Sequence, residues 1–295
     1  MKGPDLRSLR DEFHREICRT ALSVRAERSV REVPTPVYSN ADKHSEISVD
    51  LGARVAKRLP PAEGPLAMKG QQLGRAFEHA VMRFVSPALS LFPAFTSKRM
   101  RVEPGRVISH FAQFAHLAEI QALVKENPEL EATLGGDYLV DPDLVVSWDP
   151  FEDRALSPAV DPHGPPETLS PVRLNSPGTG LPLLHATISC KWTLRSDRAQ
   201  NIRTEALNLV RNRKGRTPHI VAVTMEPDPK RLAAIAIGTG DVDCVYHGAL
   251  YELREAAEEA AEESVGRENA AHRLEMMVRS SRLRDISDLP LDLLI

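Results

Sequence analysis

Three charged side chains stand in or just after apolar stretches of the chain. Asp143 lies inside the run 138–148, Lys191 lies near the end of the run 183–192, and Glu205 follows on a predicted helix. Apolar runs rich in valine, isoleucine and aromatic residues predict β-strands. Hydrolysis of a phosphodiester needs carboxylates that hold a hard divalent cation and a positive group beside the phosphate. Two carboxylates and one ammonium group supply that set.

Each of these residues also has an ordinary structural interpretation. Pro-Asp pairs are common in turns, so Asp143 alone could be a turn residue. Lys191 alone could be a solvated lysine at the end of a strand. Glu205 could be a border residue of a helix whose apolar face it adjoins. These three residues therefore indicate a site only together with the residues that follow Lys191.

The tetrapeptide Arg195, Ser196, Asp197 and Arg198 lies between a predicted strand and a predicted helix. Ser196 or Asp197 can cap the helix. Two arginines at a helix N-terminus oppose the helix dipole, so capping does not explain them. Arginine can bind O6 and N7 of guanine, and aspartate can accept from N4 of cytosine. The tetrapeptide therefore suits G·C pairs in the major groove of DNA.

The charge of the chain is unevenly distributed. The net charge is −3, which argues against a protein that coats nucleic acid with a uniformly basic surface. The segment 191–216 nevertheless carries many more basic than acidic residues. It can provide a local basic patch for DNA phosphates.

The order of predicted elements, helices first and then strands joined by a crossover helix, favours an α/β domain with a mixed sheet. Proline limits several helices, as Pro87 does for the helix from Gly70 to Phe84. The expected helices are 1–28, 70–84, 107–126, 198–212 and 250–277, the last one broken near Gly266. The expected strands or β-rich runs are 138–148, 183–192, 220–225, 232–237 and 242–246.

These elements predict a single domain over residues 1–295, with its core at about 70–250. An N-terminal helical segment covers 1–65, a proline-rich insertion covers 150–182, and an acidic C-terminal helix covers 250–280. An insertion as long as this proline-rich one is uncommon in a compact domain and suggests a functional or variable loop.

Composition places the chain among ordinary globular proteins. Apolar residues make up 42% and charged residues 27% of the sequence. Its three cysteines lack the spacing of a disulfide framework or a zinc site, and no stretch is apolar enough for a signal peptide or a membrane span. We therefore expect a cytoplasmic protein that does not enter a membrane.

The run Ser189, Cys190, Lys191, together with the segment that follows it to Arg198 and with Glu205, resembles the CCGG-cutting family of type II restriction endonucleases. That family belongs to the PD-(D/E)XK nuclease superfamily. It has serine where the second acidic residue of the general motif usually stands, and the following helix supplies the carboxylate. Ser189 and Glu205 fit this departure. The resemblance covers roughly residues 70–250.

The resemblance implies a Mg²⁺ site with defined roles. Asp143 would bind the metal directly, and the backbone carbonyl of Cys190 would be another ligand. Glu205 would take a second-metal or water-mediated role. Lys191 would orient the attacking water or stabilise the charge that develops on the phosphate. Glu78 resembles an additional active-site glutamate of the family, although it could also be a solvated helix residue.

The resemblance also implies how bases are read. Arg195, Asp197 and Arg198 would contact the central CCGG, and Gln71 and Arg231 would contact the outer G·C pair. The assignments of Gln71 and Arg231 depend on local context and approximate spacing. Gln71 could instead be a polar residue at the start of a helix.

The implied protein has a restriction-endonuclease fold and cleaves double-stranded DNA at GCCGGC after the first G, leaving 5′ overhangs. Its working unit would be a homotetramer, and at least a dimer, because a palindromic site calls for twofold symmetry. A companion DNA methyltransferase would belong to the same system. The alternatives are a DNA-binding protein that does not cleave, which needs no metal site, and a nuclease of the superfamily with another DNA substrate, which needs no base-reading arginines.

Overall fold

The computed structural model describes residues 5–28, 34–64, 70–96, 99–127, 139–150, 180–264 and 266–295, together with Glu129 and Ala132. Almost all of the proline-rich insertion predicted at 150–182 lies outside these ranges. The start of the strand predicted at 138–148 also lies outside them.

Helices and strands alternate through most of the described chain. The helices are α1 (Leu6–Thr20), α2 (Glu46–Arg58), α3 (Gly70–Ser90), α4 (Pro93–Thr96), α5 (His116–Glu126), α6 (Ser196–Asn212), α7 (Pro229–Ala236), α8 (Leu250–Glu263), α9 (Glu268–Arg279) and α10 (Leu289–Asp292). The strands are β1 (Val24–Arg28), β2 (Pro34–Tyr38), β3 (Met100–Pro104), β4 (Leu144–Trp148), β5 (Leu183–Lys191), β6 (His219–Thr224), β7 (Cys244–His247) and β8 (Leu283–Asp285).

Six strands form one sheet in the order β3-β4-β5-β6-β7-β8, and β1 and β2 form a separate two-stranded ribbon. The pairs β3–β4 and β4–β5 are antiparallel, whereas β6–β7 and β7–β8 are parallel. Residues 184–190 of β5 are all buried, as expected of a central strand covered on both faces. The expected α/β class, a mixed sheet with helices around it, is confirmed.

The chain divides into two compact units, and the single-domain organisation stays a prediction. Unit 1 comprises residues 1–92, 189–203 and 220–295. Its α1 packs on α3, and its α8 packs on α2 and α9. Phe13 of α1 lies 5.8 Å from Phe84 of α3 between ring centroids, within a fully buried aromatic cluster.

Unit 2 comprises residues 93–188 and 204–219 and contains β3, β4, most of β5, α5 and the second half of α6. A buried amide holds its loop against the sheet. Gln113 accepts a hydrogen bond from the Leu184 amide (2.9 Å) and donates one to the Leu184 carbonyl (2.7 Å). Both polar groups of the side chain are thus satisfied, as burial requires.

The N-terminal segment is not wholly helical as predicted. Helix α1 ends at Thr20, and the β1–β2 ribbon follows, with Ala26 opposite Pro36. A two-stranded ribbon tolerates proline because each strand has an outer edge on which no amide is needed. Pro34 and Pro36 therefore lie in a strand.

Helix α3 continues past the predicted end, and Pro87 lies inside it. Proline removes one helical hydrogen bond, here the one to the carbonyl of Arg83. Residues 84, 85, 88 and 89 on the same helix are all buried. Their packing outweighs the local cost, so the predicted end near Phe84 is wrong.

The helix predicted over 107–126 is two elements. A short 3-10 turn spans Ile108–His110, and α5 begins only at His116. Ile108, Phe111 and Phe114 are each fully buried at a spacing of three residues. A three-residue repeat fits successive tight turns better than an α-helix.

The apolar run predicted at 232–237 is part of a helix instead of a β-rich segment. Helix α7 begins at Pro229, and the Asp228 side chain caps it by accepting from the Lys230 amide. Aspartate followed by proline is the usual sequence of an N-cap and first helical residue.

Other elements lie where the sequence analysis predicted them. Strands β5, β6 and β7 and helix α6 lie where they were predicted, and Gly266, with φ of +97°, separates α8 from α9. Strands β3 and β8 were not foreseen. Within the described ranges no helix combines the length and apolar composition that crossing a membrane requires.

Candidate active site and base-reading residues

Asp143 directly precedes β4, and a glycine fixes its backbone. The Gly105 amide donates a hydrogen bond to the Asp143 carbonyl at 2.9 Å. A Cβ atom at position 105 would lie 1.5 Å from the carbonyl oxygen of Pro142. Only glycine fits here, so unit 2 holds the half-buried Asp143 in a defined place.

The predicted motif residues 189–191 form the end of β5. In the antiparallel pair β4–β5, Leu144 stands opposite Ile188. Asp143 therefore comes just before the paired segment of β4, and Ser189 begins the last three residues of β5. Ser189 and Cys190 are buried, whereas Lys191 is half-buried.

In unit 1, the chain after β5 is anchored on α3. Trp192 is 1% exposed, and its ring meets that of Phe77 edge-on, with 5.3 Å between centroids. Phe77 immediately precedes Glu78, which is half-buried. The Trp192–Phe77 contact thus fixes the turn of α3 that carries Glu78 beside the residue that follows Lys191.

Hydrogen bonds hold the chain around the predicted base-reading segment, residues 195–198, at the start of α6. Arg198 donates a hydrogen bond to the Thr193 hydroxyl at 2.6 Å. The Leu194 amide donates to the buried carboxylate of Glu226 at 2.8 Å. Arg195 and Asp197 remain exposed, so their polar ends are available to a ligand.

The start of α3 lies beside Arg198. A Cβ atom on Gly70 would be 3.9 Å from Nη2 of Arg198. Gln71, the next residue, is exposed. The structure therefore brings Gln71 and Arg198 to the same part of unit 1.

Arg231 of α7 is held by two carboxylates that the sequence did not single out. Its Nη2 donates to Asp42, and its Nη1 lies 3.6 Å from Oε2 of Glu226. Burial would raise the pKa of Asp42, but the His44 amide and the Arg231 guanidinium lower it overall. Asp42 therefore stays ionised and holds Arg231.

Glu205 lies in the part of α6 that belongs to unit 2. It is half-buried, next to the buried Ala206 and one turn from the buried Leu209. This places it at the border of the apolar face, as predicted. The two units thus divide the predicted active-site residues, with Asp143 and Glu205 in unit 2 and Ser189, Cys190, Lys191 and Glu78 in unit 1.

Among the residues that the structure describes, no three His, Cys, Asp or Glu side chains cluster in a way that could hold a metal ion. The predicted set has two carboxylates and one backbone carbonyl, all hard oxygen donors. Mg²⁺ is usually bound by one or two carboxylates and keeps several waters. The chemistry of this sparse set fits Mg²⁺ better than zinc, which takes nitrogen and sulfur ligands.

Comparison with known proteins decides the family. A family model described as NgoMIV restriction enzyme matches residues 13–295. The chain belongs to the NgoMIV restriction enzyme family. It is 42% identical over 272 residues to the type II restriction enzyme NgoMIV of Neisseria gonorrhoeae, an alignment that covers 88% of this chain and 90% of that protein.

A member of the NgoMIV family is a type II restriction endonuclease and thus a site-specific deoxyribonuclease. The expected enzyme class is confirmed, against the alternative of a DNA-binding protein without cleavage. A solved complex of the restriction endonuclease PspGI with substrate DNA is 16% identical and covers 98% of this chain and 92% of its own, with a TM-score of 0.29.

Proposed function

We propose that this endonuclease hydrolyses double-stranded DNA at GCCGGC, cutting after the first G to leave 5′-phosphate overhangs, with Mg²⁺ as cofactor. The NgoMIV family supports the reaction class. Sequence-specific reading is supported by an arrangement in unit 1. The amide of Leu194, the residue before Arg195, donates to the buried Glu226 carboxylate, and Arg231 lies 3.6 Å from the same carboxylate.

Oxygen ligands for the metal would come from Asp143, from Glu205 and from the backbone carbonyl of Cys190. The chemistry supplied there would be neutralisation of the scissile phosphate and activation of a water. Gly105 keeps the backbone of Asp143 in place for this role. Ser189 would leave the space that an acidic residue fills in the general superfamily motif.

Lys191 would donate to the scissile phosphate or to the attacking water. An ammonium group that is already in place stabilises the developing charge without reorganising solvent. Glu78, held through its neighbour Phe77 against Trp192, would accept a hydrogen bond from a water at the same phosphate.

Base reading would divide between two groups of unit 1. Arg195, Asp197 and Arg198 would read the central CCGG, because arginine binds guanine and aspartate accepts from cytosine. Arg231 and Gln71 would read the outer G·C pair. The ion pairs of Arg231 with Asp42 and Glu226 would hold its guanidinium in place for this role.

The assembly would be a homotetramer, and at least a twofold dimer, because a palindromic site presents two equivalent half-sites. A companion DNA methyltransferase would protect the same sites in the host. We place the enzyme in the cytoplasm, where its three buried cysteines, which the structure has as thiols, would stay reduced.

Digestion of a sequenced plasmid tests the proposed function. Purified protein is incubated with the plasmid with and without Mg²⁺, and the product ends are mapped. We expect discrete cuts at GCCGGC only when Mg²⁺ is present. Discrete cuts at another CCGG-containing site would refute the assignment of the outer pair, and a smear would refute sequence-specific cleavage.

Arg198→Ala should reduce discrimination at one guanine of the central CCGG. A bidentate arginine–guanine contact contributes about 1–3 kcal/mol of discrimination. The measurement is the ratio of cleavage rates on GCCGGC and on oligonucleotides with one central pair changed. Arg213→Ala, in the same basic segment but beyond α6, is the matched control and should keep that ratio. Equal weakening on all sequences would reassign Arg198 to a phosphate.

A further inference from the structure

Glu226 is a fully buried carboxylate that follows β6, and each of its oxygens has a partner. Oε2 accepts from the Leu194 amide at 2.8 Å and lies 3.6 Å from Nη1 of Arg231. Oε1 accepts from the Asp228 amide at 3.2 Å. The carboxylate therefore stands between the residue just before Arg195 and an arginine of α7.

The backbone around Glu226 is fixed independently of its carboxylate. The Glu226 amide donates to the Thr224 hydroxyl at 3.1 Å, and its carbonyl lies 3.2 Å from Nε2 of His247. The Ala249 amide donates to Nδ1 of His247, so Nε2 carries the proton and donates to Glu226. Burial lowers the pKa of His247 to about 4, which keeps the ring neutral near neutral pH. The side chain can change charge while its backbone stays in place.

Arg231 and Asp228, of α7 and its cap, adjoin this carboxylate. Asp42 pairs with the other side of Arg231, and the charge of Arg195 helps to lower the pKa of Asp42. Arg231 is the cation nearest to the carboxylate, and Asp42 and Asp228 are anions. An ionised Glu226 thus draws Arg231 and the Leu194 amide toward one point.

We propose that Glu226 is the positioning residue that locks the two base-reading groups of this endonuclease together, and that its ionisation sets how strictly the enzyme discriminates between sites. The proposal rests on the proposed function, because it needs Arg195–Arg198 and Arg231 to contact bases. When Glu226 is ionised, it accepts from Leu194 and attracts Arg231. When it is protonated, the attraction to Arg231 is lost and one oxygen becomes a donor.

The burial of Glu226 makes its carboxylate gain or lose a proton near neutral pH. Burial raises the pKa of Glu226 to about 7, although the Leu194 amide and Arg231 act in the opposite direction. Discrimination should therefore be strict above pH 7 and should fall as the pH decreases through that value. Effects of pH on the metal or on the attacking water act equally on cognate and altered sites, so the ratio of the two rates cancels them.

Glu226→Gln is the test variant, because it keeps the shape of the side chain and one acceptor for Leu194 while it removes the charge. Cleavage rates are measured from pH 6 to 8.5 on the site that the wild-type enzyme cuts and on oligonucleotides with one outer or one central pair changed. The wild-type ratio should fall on acidification. The ratio of the variant at pH 8 should be lower by roughly 5- to 150-fold, the range expected when an arginine–guanine contact is impaired, and it should not depend on pH.

Thermal unfolding separates this role from a merely structural one. The folded state holds the Glu226 proton more tightly than the unfolded chain does, for which 4.5 is the reference pKa. The wild type should therefore lose stability as the pH rises from about 4.5 to about 7, and Glu226→Gln should lack that loss. Tyr246→Phe, which removes a buried hydroxyl that donates to Asp292, is the structural control and should lower stability without altering discrimination.

These measurements can refute the role of Glu226 separately from the proposed function. If the wild type cuts no discrete site, the proposed function fails. If the wild type cuts a discrete site and Glu226→Gln keeps wild-type discrimination and its pH dependence, the role of Glu226 is overturned while the function stands. If Glu226→Gln relaxed discrimination at only the outer or only the central base pairs, the coupling of the two base-reading groups would likewise be overturned.

Discussion

Replacing Lys191 with alanine should abolish DNA cleavage and leave specific binding largely intact. Its ammonium group lies at the end of β5, directly after the buried Ser189 and Cys190. In the proposed reaction it stabilises charge that develops only in the transition state, so its removal affects the rate and not the ground-state complex. Loss of one such group costs roughly 10²- to 10³-fold in rate, and the loss of a water-orienting role adds to that.

The measurement is single-turnover cleavage of a GCCGGC duplex, with binding of the same duplex followed by fluorescence anisotropy without Mg²⁺. Lys214→Ala is the matched control, because it removes the same charge from an exposed position of the basic segment. It should weaken binding slightly on every sequence through one lost phosphate contact and should leave the rate of the bound complex unchanged. Loss of specific binding in Lys191→Ala would mean that Lys191 is structural.

The central elements could be predicted because their signals are local. Strand β5 is a continuous apolar run, and a central strand buried on both faces requires one. Helix α6 combines an apolar face with a polar start, and Gly266 marks the break between two terminal helices. These features depend on neighbours within a few positions, which the sequence displays directly.

Edge elements could not be predicted in the same way. Strand β3 has the sequence Met-Arg-Val-Glu-Pro, and β8 has three residues. Short strands with little apolar character form because the rest of the sheet offers them backbone partners. Pro87 illustrates the opposite case, in which a strong local signal is overridden by the packing of α3.

The same contrast holds in the candidate site. Lys191 and Arg195–Arg198 form one continuous motif that a single sequence reveals. Asp42 and Arg231 are 189 positions apart, and only the folded chain brings them together. Glu226 looks like one more residue after an apolar strand, and its burial beside the Leu194 amide has no signature in the sequence.

Arg10→Ala should strongly lower the free energy of unfolding, because Arg10 neutralises two carboxylates inside unit 1. Its guanidinium donates two hydrogen bonds to Glu252 (2.9 and 2.7 Å) and two to Asp285 (2.9 and 2.8 Å). The Asp285 side chain is completely buried, and Arg10 itself is 12% exposed. Removal of one partner from a buried ion pair costs about 3–5 kcal/mol, because it leaves an uncompensated charge.

The free energy of unfolding at pH 7 measures this effect, and Arg54→Ala is the matched control. Arg54 also bridges several carboxylates, but those of Asp50, Glu259 and Glu263 are 30–56% exposed. Water can solvate them after the arginine is lost, so the control should cost about 1 kcal/mol or less. Equal losses in the two variants would show that burial does not govern the contribution of Arg10.

The deficit of Arg10→Ala should also depend on pH. Burial alone would raise the pKa of Asp285, but its hydrogen bonds to Arg10 bring that pKa below the usual value of 3.8. The wild type therefore gains stability from this pair above about pH 4 and loses it as the pH falls through the lowered pKa. Without Arg10, a proton can neutralise the buried Asp285 on acidification. The difference between the two proteins should thus be greatest near neutral pH and should shrink toward pH 4, and a constant difference would place the origin of the effect in lost packing instead of in the buried charge.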